Sequence, residues 1–116
     1  MADDREQREQ IAWQLRANQL LTDLLREQNT GGLRPVLRWT IQSAGCLLFG
    51  EPPMVGDNAG KAAAVRAWAD RLGLQVRETP MSHGDVRVTA HGIHERVKVA
   101  VCTTLRGDEE ETAHGA

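Results

Sequence analysis

The feature that most constrains the fold of this chain is the stretch from Arg5 to Gln28, which contains neither glycine nor proline. The stretch is rich in arginine, glutamate, glutamine, leucine and alanine, which are good helix formers. It therefore predicts one long helix. The whole chain has 116 residues, which is the size of one compact domain with a modest core.

The predicted helix carries apolar side chains on two faces, because successive residues advance by about 100° around a helix. One stripe contains Trp13, Ala17, Leu20, Leu21 and Leu24. Ile11 and Leu15 fall nearly opposite this stripe, and Leu25 lies to one side. The second face predicts contact with a protein partner or a second copy of the chain, and the alternative is that these residues are singly exposed and have no role. The predicted interface residues are Ile11, Leu15, Leu21 and Leu25.

Beyond this helix the apolar spacing changes to that of strands. The segment "NTGGLRP" is predicted to end the helix, and "VLRWTIQ" alternates between apolar and polar residues as a half-buried strand does. The segment "CLLFGE" predicts a second, more buried strand, joined to the first by an "SAG" turn. The segment "EPPMVGD" predicts a loop, because adjacent prolines do not suit a central strand.

A second helix is predicted to begin at a cap residue, Asp57 or Asn58, and to run to about Leu72, where Gly73 ends it. Its buried face contains Val65, Trp68, Ala69 and Leu72. Three strands follow, "LQVRET", "VRVTAH" and "RVKVAVCTTL", with turns predicted at "PMSHGD" and "GIHE".

This order predicts an α+β fold: an N-terminal amphipathic helix, then β-β-α-β-β-β. Short turns within each group of strands favour a five-stranded, mainly antiparallel sheet with the helices packed on one face. The predicted organisation is an N-terminal helix over residues 1–30, an α+β domain over 31–106 and a disordered acidic tail over 107–116.

The segment "VGDNAGKA" (residues 55–62) has the glycines and lysine of a phosphate-binding loop, but its spacing differs. That loop has four residues between its glycines and a hydroxyl residue after the lysine. Here three residues separate Gly56 from Gly60, and Ala62 follows Lys61. We therefore expect a loop and a helix N-terminus in place of a nucleotide site.

The other chemically capable residues do not form a pattern typical of an active site. His83, His91 and His94 lie at strand ends and turns without the close ligand pairs of zinc sites. Cys46 and Cys102 lie in apolar strands and are expected to be buried free thiols, although a disulfide between them is also compatible with the sequence. We expect no catalytic residue, no metal site, no cofactor and no small-molecule substrate.

The charge is unevenly distributed along the chain. Residues 31–106 carry ten basic and six acidic groups, whereas residues 107–116 carry four acidic groups and no basic group. An arginine-rich face of the sheet, screened by the acidic tail, predicts nucleic-acid binding as an alternative function. Its predicted contact residues are Arg34, Arg38, Arg87, Arg96 and Lys98. The three tryptophans are expected in the core, so no exposed aromatic residue is expected among these cations for base stacking.

The pattern "AWADRLGLQVRET" followed by "GDVRVTAHG" resembles small uncharacterised proteins of actinobacteria and their phages. In those proteins a helix ending in W-x3-LG precedes strands with alternating valine, as Trp68, Leu72 and Gly73 precede Val86 and Val88 here. The resemblance implies the α+β pattern and no activity.

Together these features predict a non-enzymatic regulatory or interaction protein that self-associates through its N-terminal helix. The charged segment "MADDREQREQ" and the lack of an apolar run of about 20 residues favour a cytoplasmic location without membrane contact.

Overall fold

The computed structural model describes residues 2–30, 37–42, 47–53 and 57–107. The described elements are α1 (Ala2–Asn29), β1 (Arg38–Gln42), β2 (Leu47–Glu51), α2 (Asn58–Leu72), β3 (Gln75–Pro80), β4 (Val86–His94) and β5 (Val97–Leu105). A short 3₁₀ turn, Ser82–Gly84, connects β3 to β4. The predicted α+β order is confirmed.

The five strands form one mixed sheet in the order β1-β2-β5-β4-β3. Three of the four pairings are antiparallel, as predicted. The fourth pairing joins β2 to β5 in parallel, with Leu48 opposite Val99. This parallel pair joins the two antiparallel groups of strands, and α2, β3 and β4 lie between its two strands in sequence.

Both helices pack on the same face of the sheet and share one hydrophobic core. Ala17, Leu20 and Leu24 of α1 belong to the same buried cluster as Trp68 of α2. The core cluster also includes the inward residues of the central strands, Leu48, Val88, Ala90, Val97, Val99 and Val101. The C-terminal half of α1 is therefore part of the body of the domain.

The ends of α2 are set by the residues that the sequence indicates. The Asp57 carboxylate caps the first turn by accepting a hydrogen bond from the Gly60 N–H at 2.7 Å. At the other end Gly73 has a left-handed conformation with φ 69°, and the Leu74 N–H donates to the Ala69 carbonyl at 2.8 Å. Leu74 is itself buried, as expected for an apolar residue that follows the glycine at the C-terminal end of a helix.

The prediction of a turn at "GIHE" is wrong for the first three of these residues. Gly92, Ile93 and His94 continue β4, and the chain turns only at Glu95 and Arg96, whose φ angles are 50° and 68°. Gly92 serves close packing here, because a Cβ atom at this position would lie 3.1 Å from Leu74 Cδ2. A glycine that packs closely against a neighbouring side chain thus resembles a turn signal in the sequence.

Several predictions concern residues outside the described ranges. They are the glycines and proline that follow α1, Arg34, the "SAG" turn, Cys46, residues 54–56 of the "EPPMVGD" loop with Gly56, and residues 108–116 of the acidic tail.

Candidate interaction surfaces

The exposed side of α1 carries three of the four predicted interface residues. Ile11, Leu15 and Leu25 are 56%, 63% and 47% exposed. Leu21, the fourth, is half-buried and packs against the domain's own core. The described structure therefore places three large apolar side chains in solvent on one helix, while Leu21 lies at the border between that face and the core.

The exposed apolar residues of α1 lie on a regular spacing that also includes two polar residues. Starting at Ile11, steps of four and three residues lead to Leu15, Asn18, Thr22 and Leu25. These positions stay within about 80° of one another around the helix, on the side away from the core. We call these five residues the α1 seam. Asn18 and Thr22 were not among the predicted residues, because both are polar and only apolar side chains indicate a second buried face in a sequence.

The N-terminal half of α1 projects from the domain. Every residue from Asp4 to Ala12 is exposed. The molecule measures 62 × 35 × 21 Å and has a radius of gyration of 16.5 Å, compared with about 13 Å for a compact domain of this length. An isolated helical segment of this length is only marginally stable in water. The projecting turns are exposed in this way, so they lack tertiary contacts that would add to that marginal stability.

The second candidate surface is the face of the sheet opposite the helices, which we call the open face. The strand register places Thr89 beside Cys102 on this face, and their side chains are 3.4 Å apart (Oγ1 to Sγ). Because side chains alternate between the two faces along each strand, further residues from all five strands lie on the open face. They include Arg38, Thr40, Leu47, Phe49, Arg77, Arg87, His91, Ile93, Lys98 and Ala100.

The structure brings together three of the residues predicted for nucleic-acid contact. Arg38, Arg87 and Lys98 all lie on the open face, whereas Arg96 lies in the β4–β5 turn and Arg34 lies outside the described residues. Glu51 neutralises Arg38 through a salt bridge of 2.9 Å. Arg87 and Lys98 form no salt bridge within the described part of the chain.

Two features of the open face were not found from the sequence. Arg77 of β3 lies opposite Thr89 and adds a further cation. Phe49 is half-buried between Thr40 and Ala100 in the register of β1, β2 and β5, so an aromatic ring is present on this face after all. The signal was available, because Phe49 alternates with Leu48 along β2, and Leu48 points into the core.

A shallow apolar depression of about 380 Å³ lies at one end of the open face, beside the β4–β5 turn. Leu47, Ile93 and Ala100 contribute apolar surface to it, and His91 and Lys98 are among its polar lining residues. Ile93 is 68% exposed, the highest value among the large apolar residues described. The depression extends the open face toward the turn.

The histidines do not converge. His91 lies on the open face, whereas His94 lies on the opposite face of the same strand, where its Nδ1 is 3.2 Å from the Leu72 carbonyl oxygen. His83 lies in the turn before β4. Within the described ranges, no three His, Cys, Asp or Glu residues are placed to hold a metal ion.

Two of the residues that suggested a phosphate-binding loop, Gly60 and Lys61, form contacts that stabilise the fold. Lys61 Nζ donates a hydrogen bond to the Thr104 carbonyl at 3.0 Å, which ties α2 to β5. Gly60 lies in the first turn of α2, and its N–H is taken by the Asp57 cap. Cys102 is a buried free thiol whose side-chain neighbour is the Thr89 hydroxyl.

Comparison of the chain with protein-family models, with curated proteins and with solved structures finds no match. In the part of the chain that the structure describes, neither helix has the length and apolar content needed to cross a membrane.

Proposed function

We propose that this chain is a non-enzymatic, cytoplasmic interaction protein that self-associates through the α1 seam, with a regulatory role. The observation that supports this most is the exposure of Ile11, Leu15 and Leu25 on one side of a helix whose other side is already buried. α1 has two apolar faces, and its own domain buries only one of them.

The projection of α1 supports the same proposal. The turns from Asp4 to Ala12 have no tertiary cover, and a second helix laid along them would supply it. A two-fold dimer is the commonest way in which a chain covers such a face with its own copy.

The chemistry of the described thiol fits a role without catalysis. Cys102 is 4% exposed, and its side-chain neighbour is the Thr89 hydroxyl, which is not a base. A catalytic thiol is ordinarily accessible and activated by a neighbouring cation, base or helix N-terminus. A free buried thiol also fits the reducing interior of a cell.

The test is a double substitution, Ile11→Ser with Leu15→Ser, measured by analytical ultracentrifugation over a wide range of concentrations. We expect the wild-type chain to form a dimer as its concentration rises. The variant should stay monomeric, because it loses two of the three apolar side chains of the seam. The matched control is Arg16→Ser with Asp23→Ser, which changes two exposed residues of α1 that lie neither in the seam nor beside it and should leave the dimer intact. Equal masses for wild type and the seam variant would refute the proposal.

A second candidate function is nucleic-acid binding through the open face. The specific observation in its favour is that Arg87, Lys98 and Arg77 share this face with the half-buried ring of Phe49. Cations that contact phosphates and an aromatic ring that stacks on a base are the two components of many single-strand binding surfaces. In this candidate, the acidic residues after Gly107 compete with nucleic acid for the same cations.

A further inference from the structure

We infer that the second copy packs along the α1 seam in the parallel direction and in register, so that Asn18 of one copy faces Asn18 of the other. This inference rests on the proposed self-association and specifies its geometry.

The spacing of the seam is that of a two-stranded coiled coil. Alternating steps of four and three residues keep one side of each helix facing its partner. The same steps continue toward the N-terminus through Arg8 and Asp4, both exposed. The pattern therefore extends from Asp4 to Leu25, a length of about 32 Å along the helix.

The positions of the apolar residues select the direction of packing. In the parallel, in-register arrangement, Ile11, Leu15 and Leu25 each meet the same residue of the other copy. An antiparallel arrangement that pairs Ile11 with Leu15 leaves Leu25 opposite the start of the chain. One that pairs Leu15 with Leu25 leaves Ile11 opposite Asn29. Of these three arrangements, only the parallel one gives all three residues an apolar partner.

Asn18 fits the same arrangement. Its amide has both donors and an acceptor, so two Asn18 side chains that face each other can hydrogen-bond. In the parallel arrangement the two Asn18 side chains face each other only when the helices are in register, so their hydrogen bond favours that register. The Thr22 hydroxyl already donates to the Asn18 carbonyl at 2.9 Å, so its donor is satisfied within α1.

The flanking charges are compatible with a parallel pair. The positions beside the seam are Arg5, Gln7, Ala12, Gln14, Gln19, Leu21, Arg26 and Gln28. In the parallel arrangement the facing pairs from these positions are Gln7 with Ala12, Gln14 with Gln19, and Leu21 with Arg26. None of these flanking pairs brings two like charges together, whereas Arg8 and Asp4 each face their own copy, which weakens the helix pair on the N-terminal side of Ile11.

The body of each domain does not obstruct the parallel pair. Ala17, Leu20 and Leu24 point toward the sheet, on roughly the opposite side of α1 from the seam. The two domains consequently lie on the outside of the helix pair, one on each side of it.

The experiment is disulfide formation by Leu25→Cys in a Cys46→Ser chain, in which Cys102 remains buried. The parallel arrangement brings the two copies of position 25 within disulfide reach, so oxidation should convert most of the dimer to a cross-linked species. Asp23→Cys, which is exposed on α1 outside the seam, is the matched control and should stay largely monomeric on a denaturing gel. The Cys46→Ser parent provides the blank.

A second measurement mixes a mass-tagged Leu15→Cys chain with an untagged Leu25→Cys chain. A mixed disulfide between positions 15 and 25, without the Leu25→Cys homodimer, would show antiparallel packing and overturn the inference. A dimer that forms neither species would overturn it as well. In both cases self-association itself stands, whereas a wild-type chain that is monomeric at every concentration would remove the proposed function.

Discussion

Packing leaves little room for a side chain at Gly50. It lies opposite Trp39 in the β1–β2 pair, and a Cβ atom at Gly50 would lie 2.7 Å from Cζ3 of that tryptophan. The Trp39 ring in turn meets Trp68 edge-on, with ring centroids 5.3 Å apart. The absence of a side chain at Gly50 thus lets one aromatic ring lie across β2 and contact the other.

We predict that Gly50→Ala lowers the free energy of unfolding by about 1–3 kcal/mol, because the added methyl group overpacks this contact. Urea denaturation followed by tryptophan fluorescence measures the change. In a Trp39→Leu background the same substitution should cost much less, since the ring that it strikes is gone. An equal cost in both backgrounds would show that the close approach to Trp39 is not the reason.

At the scale of elements, the β4–β5 hairpin is joined by a turn of unusual composition. Glu95 and Arg96 both have positive φ, and they connect His94 to Val97, which are paired in the sheet. A two-residue turn with this geometry ordinarily contains Asn-Gly or Asp-Gly, because other side chains are strained there. The turn is therefore held by the nine-residue strands on either side, not by its own residues.

Replacing Glu95 by Asn and Arg96 by Gly should raise the free energy of unfolding by about 1 kcal/mol, because it relieves this backbone strain. A thermal melt compared with wild type would detect the change. The control is Arg96→Ala, which removes the charge but retains a side chain at positive φ, and which we expect not to stabilise. A lower melting temperature for the Asn-Gly variant would contradict the explanation.

At the scale of the whole molecule, its two surfaces carry different chemistry. The α1 seam is apolar with polar residues near its centre, whereas the open face combines cations with Phe49 and the depression beside Ile93. The two surfaces lie on different sides of the domain, because α1 packs on the face of the sheet opposite the open face. A dimer formed through the seam therefore leaves both open faces free.

The nucleic-acid candidate predicts a specific response to salt and to the tail. A chain that ends at Gly107 keeps the bond from the Gly107 N–H to Asp85 but lacks the acidic residues. It should bind labelled single-stranded DNA or RNA more tightly than the full chain in fluorescence anisotropy, and less tightly as salt rises. Arg87→Gln with Lys98→Gln should weaken binding and reduce the salt slope by about 1.4 for single strands.

Arg66→Gln is the matched control for that titration, because Arg66 lies on the helix side of the sheet and pairs with Glu78 at 3.1 Å. Its affinity should stay close to wild type. Flat titrations for both the full and the shortened chain at low salt would exclude this function.

The sequence by itself determined the local structure and which side of each element is apolar. The absence of glycine and proline predicted α1, the Asp57 cap and Gly73 predicted the ends of α2, and alternation predicted the buried sides of β1, β4 and β5. These properties depend on neighbours within a few residues, so the linear pattern contains them. The same locality revealed Ile11 and Leu15 as the second apolar side of α1.

Only the tertiary structure decided how distant elements meet. The parallel contact of β2 with β5 brings Phe49 beside Ala100, and the order of the strands brings Arg38, Arg87 and Lys98 onto one face. Gly92 likewise looked like a turn until its approach to Leu74 was visible. Such contacts join residues that are distant in the sequence, and they are selected by the burial of the whole core, which no short segment of the sequence encodes.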